Sequence, residues 1–276
     1  MQIKNGEKIY TVTTIAARSE LYNLYVCQTG DGRSCLLQIA SSTEQNGQIE
    51  RAAFILRELV KRATEVEEEY KAVRGEDSGP LNYDLGFPEV VDTFVCEEQG
   101  GRRINILAFR NIERVSQMVP MSGITQKDRL RVDLKTSAWM MGKLLKLLAF
   151  AHSEGISVGR VAGDNILIEP DQHYVLIFDW SLAKVDEPPG AIPDTIQQQE
   201  IVSAAKAVIV VLGGNPESET GNFPADDDSA FEEYTQHLLK LARGCERRAL
   251  RAHERFYKHI DGFWKRKFHP FTTKPL

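Results

Sequence analysis

Hydrophobic and polar positions fall into two regimes along the chain. In roughly the first hundred residues, short runs rich in β-branched and aromatic residues dominate, at residues 9–15, 21–27 and Ser34–Ala40. Thr29-Gly30-Asp31-Gly32 supplies turn chemistry between the second and third runs, so they predict an antiparallel meander. After Gln45-Asn46-Gly47, the residues Ile49, Ala52, Ala53, Leu56, Leu59, Val60 and Ala63 recur at three- and four-residue spacing, which predicts an amphipathic helix. That helix runs into Glu65, Glu67, Glu68 and Glu69, read as a solvated face. Residues 75–86, with Asp77-Ser78-Gly79-Pro80, read as a loop. Residues 90–97 and 103–109 read as two further strands joined at Gln99-Gly100-Gly101. The sum is five strands and one long helix.

The remainder reads mainly as helix. Leu134, Ala138, Met141, Leu144, Leu145, Leu148 and Ala151 line one helical face. Two short apolar strands follow, at residues 166–168 and 174–178, about the turn Glu169-Pro170-Asp171-Gln172. A loop containing Pro188, Pro189 and Pro193 leads to an apolar helix over 201–212. Residues 215–229 are polar loop, and one or two helices cover 230 to about 267. A strand-rich half followed by a helix-rich half predicts two lobes.

Composition narrows the function classes. Among 276 residues, 42% are hydrophobic, enough for a sizeable core. Lys+Arg number 34 against 39 Asp+Glu, and the net charge of −5 argues against nucleic-acid binding over the whole surface. Cys27, Cys35, Cys96 and Cys245 form no C-x-x-C pair, so reduced thiols are expected, not a disulfide framework or a zinc site. The first eight residues lack the apolar stretch of a signal peptide, and the apolar run 204–212 is short and broken by Lys206. A cytoplasmic protein is the expectation.

The candidate chemistry sits in the run from Ala151-His152-Ser153-Glu154-Gly155-Ile156 through Arg160 to Asn165-Ile166-Leu167-Ile168, and in Phe178-Asp179-Trp180-Ser181 downstream. Asn165 and Asp179 flank a predicted hairpin. An amide oxygen and a carboxylate are hard donors suited to Mg²⁺ bridging phosphates.

In this stretch the chain resembles the protein-kinase-like superfamily. The family's run reads L-H-S-x-G-I-x-H-R-D-L-x-x-x-N-I-L-L, with D-F-G after the hairpin. His152-Ser153, Gly155-Ile156, Asn165-Ile166-Leu167 and Asp179 match it without a gap. Glu200-Ile201-Val202-Ser203 through Gly213-Gly214 follows the family's next helix in length and apolar rhythm, and the likeness spans about residues 8–215. The resemblance implies an α+β, two-lobed kinase-like domain. Its N-lobe, residues 1–110, would hold a five-stranded antiparallel sheet and one long helix; its C-lobe, residues 111–276, would be mainly helical.

Departures from the pattern fall on the chemistry. Arg160 occupies the position of the catalytic base, and a guanidinium has no acceptor for a proton. Gln38 stands where the third-strand lysine belongs, so no cation meets the α- and β-phosphates there. That lysine's glutamate partner aligns near Ala52, with Glu50 and Glu58 as alternatives. Ala16-Ala17-Arg18-Ser19-Glu20 replaces the glycine-rich loop, Asp179-Trp180-Ser181 replaces D-F-G, and no A-P-E follows. Single parts of a phosphoryl-transfer site are worth roughly 10³–10⁵ in rate, so losing several argues against ordinary turnover.

The resemblance thus implies a pseudokinase without catalytic residues, acting by protein binding, scaffolding or allostery. Residual ATP and Mg²⁺ would contact Gln38, Asn165 and Asp179, with Asn165 and Asp179 as the metal ligands. The alternatives are a divergent ATP-dependent kinase or nucleotidyl transferase, and a binding module using the basic C-terminal helix over 240–267 on nucleic acid or anionic membrane. Three blander readings stand beside these: Arg160 pairs with Glu200, Trp180 packs in a core, and the stripe Leu238, Leu241, Cys245, Ala249 and Ala252 docks the C-terminal helix.

Overall fold

The computed structural model describes residues 1–75, 79–186, 192–264 and 268–276. Asp77 and Ser78 of the expected loop, Pro188 and Pro189 of the proline-rich segment, and Lys265, Arg266 and Lys267 of the basic helix lie outside the described residues. The chain divides into two compact units. The first comprises Met1–Met118 with Asp179–Leu182; the second comprises Val119–Phe178 with Ala183–Leu276.

Strands β1 (Gln2–Asn5), β2 (Lys8–Arg18), β3 (Tyr22–Gln28), β4 (Ser34–Ala40), β5 (Glu89–Cys96) and β6 (Arg102–Ala108) build one antiparallel sheet in the first unit. Their order is β1-β2-β3-β4-β6-β5. The sheet therefore has six strands where the sequence predicts five. The added one, β1, pairs Gln2–Asn5 with Thr11–Lys8 through a tight turn whose Gly6 takes a left-handed φ of 60°.

The two edges of this sheet are joined by one side chain. Asp92 on β5 accepts hydrogen bonds from Tyr10 Oη (2.6 Å) and Asn5 Nδ2 (2.9 Å), with Lys8 Nζ at 3.4 Å. The sheet curls so that Ile3, Tyr10, Cys27, Cys35, Leu37, Ile39, Cys96, Ile104 and Ile106 meet inside it. Burial pushes the thiols of Cys27 and Cys35 up to about 12 and 11, so both remain protonated and pack as small hydrophobes. Burial also raises the Asp92 carboxyl, but the Tyr10 and Asn5 hydrogen bonds and the Lys8 charge outweigh it and hold it below its ordinary range.

Helix α1 (Asn46–Arg74) lays Ile49, Ala52, Ala53, Ile55, Leu56, Leu59 and Ala63 inward. Burying each of the larger aliphatic side chains is worth about 1.5–3 kcal/mol, and the alanines let the helix approach closely. Its end at Gly75 has φ 89°, a conformation that disfavours any residue with a Cβ.

The second unit contains β7 (Val119–Pro120), α2 (Met121–Gln126), β8 (Leu130–Val132) and α3 (Leu134–Ser153). It continues with β9 (Ile156–Ser157), β10 (Ile166–Glu169), β11 (Tyr174–Ile177), β12 (Lys184–Val185) and α4 (Asp194–Val211), and closes with α5 (Phe231–Ala242), α6 (Ala249–Phe263) and β13 (Thr273–Pro275). Helix α3 is buried on nearly all sides, as its apolar composition requires. Asp133 caps it by accepting from Thr136 N at 2.7 Å, and His269 near the C-terminus bonds the same carboxylate at 2.8 Å. Strands β10 and β11 form the expected hairpin, and β13 pairs with β8.

Two helices, not one, complete the chain, and Leu238, Leu241, Ala249 and Ala252 are buried as the stripe predicts. Cys245 departs from it: the residue sits in the connection between α5 and α6 and is exposed. His237 on α5 stacks on His259 of α6 with centroids 4.3 Å apart. Burial, aided by the nearby His259 and Lys240, pushes His237 down to about 4.

Acid should loosen both units, with the sign set by each group. His237 is depressed in the fold, so stability falls as pH drops from about 6.5 towards 4, with a slope no greater than about 1.4 kcal/mol per pH unit. Urea melts across that range should show this limb in the native protein and lose it in His237→Gln. Asp92 is also depressed, so its contribution is complete above its unfolded pKa and disappears as pH falls through the folded value. At neutral pH, Asp92→Ala leaves the buried Tyr10 hydroxyl unpaired and should cost about 2–4 kcal/mol in the urea midpoint analysis.

Candidate functional site

Gln38, Asp179 and Trp180 belong to the first unit; His152, Arg160, Asn165 and Glu200 belong to the second. Gln38 lies on β4, buried at 2% exposure, opposite Asn105 in the β4–β6 register. Asn105 Nδ2 donates to Gln38 Oε1 (3.2 Å) and to the Ile49 carbonyl of α1 (2.9 Å), and its Oδ1 accepts from Thr93 Oγ1 (2.7 Å). The position where the resemblance calls for a lysine ammonium is thus a neutral amide whose oxygen is bonded to Asn105.

The three candidates for the acidic partner on α1 separate in the structure. Ala52 is buried in the helix face and carries no charge. Glu50 is largely exposed and pairs with Arg103 of β6 at 2.8 Å, and Glu58 is half-buried. Of the segment in place of the glycine-rich loop, residues 16–18 belong to β2, and Ser19 and Glu20 to a self-bonded turn. Ser19 N donates to the Tyr22 carbonyl at 2.9 Å, Ser19 Oγ takes Tyr22 N at 3.1 Å, and Ser41 Oγ donates to the Glu20 carbonyl. These groups satisfy one another.

In the second unit Glu200 is the organising group. It comes from the buried face of α4, and its Oε2 lies 2.6 Å from His152 Nε2 at the end of α3, while its Oε1 accepts the Gly159 N–H at 2.7 Å. Helix α3 can stop there because Gly155 adopts φ 75° just past its last turn. This corrects the expected pairing of Arg160 with Glu200. Arg160 Nη2 instead binds Asp164 Oδ2, four residues on, at 2.5 Å, with both side chains substantially exposed. A guanidinium at the surface avoids the desolvation that pairing beside buried Glu200 would impose.

Asn165 is fully buried, and its Nδ2 donates to the Arg160 carbonyl at 2.8 Å. Its own carbonyl accepts Phe178 N at 3.0 Å, which anchors the strand end leading to Asp179. Asp179 Oδ1 accepts the Ser181 N–H at 2.9 Å. Trp180 is 1% exposed and meets Phe87 edge-on at 5.5 Å, a packing role in its own unit as expected.

The basic C-terminal segment is partly neutralised. Arg248 pairs with Asp194 at 3.0 Å, Arg251 and Arg255 both reach Glu246, and the apolar side of α6 is committed to the unit's interior. Sequence reasoning missed Asn105, Thr93, Arg103 and Asp92. The visible trace of Asn105 was a polar residue amid the apolar run Ile104, Ile106, Leu107.

No protein-family model and no curated protein matches this sequence. Solved structures do. The chain is similar to vaccinia related kinase 3 with TM-score 0.60 and 13% identity, over 95% of this chain and 91% of that one. It is similar to the BubR1 kinase domain at TM-score 0.54 and 9% identity, covering 95% and 86%. A Mycobacterium tuberculosis PknI kinase domain, the C20A_R136A double mutant, matches at TM-score 0.51 and 11% identity, covering 91% and 95%. The chain has the protein-kinase-like fold. Among the described residues, no helix is long and apolar enough to cross a membrane.

Two substitutions probe these environments. Gln38→Lys should lower stability by about 2–4 kcal/mol, because it buries an ammonium beside Asn105 in place of an amide. Chemical denaturation checks this; a neutral or stabilising result would mean that a carboxylate reaches the new lysine. Glu200→Ala strands His152 and the Gly159 N–H together and should cost about 3–5 kcal/mol, well above Asp164→Ala, which opens only the exposed Arg160 pair.

Proposed function

We propose that this protein is a pseudokinase: a kinase-like fold that works by binding other proteins, as a scaffold or allosteric partner, and not by transferring phosphate. The observation that carries this reading is Gln38. A buried amide bonded to Asn105 supplies no positive charge, and phosphoryl transfer is driven mainly by charge placed around the phosphates. Arg160 supports the same reading from the other reactant: it cannot accept the proton of an attacking hydroxyl, and it is engaged with Asp164.

By donor chemistry and by the resemblance, and not by their placement, Asn165 and Asp179 would be the Mg²⁺ ligands and Gln38 a nucleotide contact. Bound there, the ion would neutralise part of the charge of a triphosphate. Asn165 has a second role in any case, since its amide nitrogen braces the loop through the Arg160 carbonyl. Holding a nucleotide weakly fits this residue set better than turning it over.

Incubation with γ- and α-labelled ATP, each with Mg²⁺ or Mn²⁺, should transfer no label to the protein or to general acceptor substrates. Metal-dependent transfer abolished by Asp179→Ala would replace this reading with an active kinase or, for α-label, a nucleotidyl transferase. In thermal-shift titrations, ATP with metal should give far less than the roughly 2.7 kcal/mol of stabilisation expected at a hundredfold excess over Kd.

A further inference from the structure

The network around Gln38 extends past the nucleotide question, into how α1 is held. Asn46, at the start of α1, donates from Nδ2 to the Gly101 carbonyl (2.9 Å) and accepts the Arg103 N–H on Oδ1 (2.7 Å), so its amide grips the beginning of β6 twice. One turn on, the Ile49 carbonyl accepts from Asn105 of β6 at 2.9 Å. Beside it, Glu50 pairs with Arg103 at 2.8 Å, and Arg103 Nη1 also reaches Thr93 Oγ1 at 3.2 Å. Thr93 closes the circuit by donating to Asn105 Oδ1. Three nearly consecutive positions of the helix, 46, 49 and 50, are therefore bonded to residues 101–105.

Apolar packing alone is non-directional and tolerates small slides of a helix over a sheet. Hydrogen bonds with fixed donors and acceptors do not. The electrical character of the tie matters as much as its geometry. A lysine buried at position 38 would need an anion, from a helix carboxylate or from a phosphate, and the helix would then respond to which one was present. A neutral amide has no such requirement, and the ion pair of this tie among the described residues, Arg103–Glu50, joins a mostly buried guanidinium to a largely exposed carboxylate.

We propose that α1 is a fixed element, bound to β6 in the ligand-free protein through Asn105 and Arg103, so that its position is set by the sheet and not by a nucleotide. Asn105 and Arg103 are positioning residues in this account. The inference goes beyond the functional reading above and does not require it, since the tie lies wholly within the first unit.

Hydrogen exchange on the full chain, with no nucleotide present, tests this directly. Amides of residues 46–60 should exchange as slowly as those of β4 and β6. Asn105→Leu should speed exchange of residues 46–60 about tenfold, the loss of roughly one buried hydrogen bond, while β2 and β3 keep their protection. If that core substitution prevents folding, Glu50→Ala and Asn46→Ala alter exposed or half-buried side chains and should give a smaller acceleration confined to the first two turns. Arg51→Ala, a solvent-facing control, should change nothing. Rapid exchange of residues 46–60 in the ligand-free protein overturns the proposal, as does protection that appears only on adding Mg²⁺ and ATP. So does an acceleration in Asn105→Leu spread evenly over the whole sheet. Because the deciding measurement contains no nucleotide, its failure leaves the binding-protein reading standing, and label transfer from ATP would leave this one standing.

Discussion

A single buried carboxylate, Glu200, holds the second unit's loop in shape. A carboxyl side chain at 5% exposure is tolerable only if hydrogen-bond partners surround it, and it has two: the His152 ring and the Gly159 N–H. These come from the end of α3 and from the loop after β9, so one group on α4 fixes both. The effect carries along the chain. Gly159 precedes Arg160, the Arg160 carbonyl receives the Asn165 amide, and the Asn165 carbonyl receives Phe178 N. Each of these links after the carboxylate is made through backbone or through Asn165.

Links of this kind show how a kinase-like fold is kept while the residues at these positions differ from the pattern. The parts that build the frame are backbone groups and buried side chains whose loss leaves unpaired polar atoms, so each carries a stability cost on its own. The parts that do chemistry in the family are charges, and a charge in a cleft is commonly a liability to stability in the absence of its ligand. Here the frame is present and the charges are changed. The Ser19–Tyr22 turn bonds to itself, the Gln38 oxygen is bonded by Asn105, and Arg160 pairs with Asp164 at the surface.

Much of this was legible in the sequence, and the reasons are local. The strand runs, the α1 and α3 periodicities and the β10–β11 hairpin were visible because each buries one face, and burial imposes a pattern. The motif around His152, Gly155 and Asn165 pointed to the right fold because those residues serve the frame. What escaped was pairing between distant segments. Nothing local marks Asp92 as the partner of Asn5 and Tyr10, more than eighty residues earlier, nor β1 as the strand that joins that closure. The sequence pairs Glu200 with Arg160, whereas the structure pairs it with His152. Opposite charge suggests that choice in one dimension; burial decides otherwise in three. The C-terminal stripe failed at Cys245 for a simpler reason: helical spacing was carried through a connection that is not helical.

The changes at Gln38 and Ala52 are best understood together. Removing only the lysine from a sheet–helix ion pair would leave a buried carboxylate without its counter-charge, a costly half-step. Here Ala52, one of the three candidate positions for that carboxylate, is buried against the sheet, the polar tie to α1 runs through Asn105, and the charged tie runs between Arg103 and Glu50. This arrangement sets a neutral amide pair, Gln38 and Asn105, where the sheet meets α1, with Asn105 bonded to the helix backbone. The bonds that orient α1 on the sheet are thus made by uncharged groups at its centre and by one ion pair at its edge.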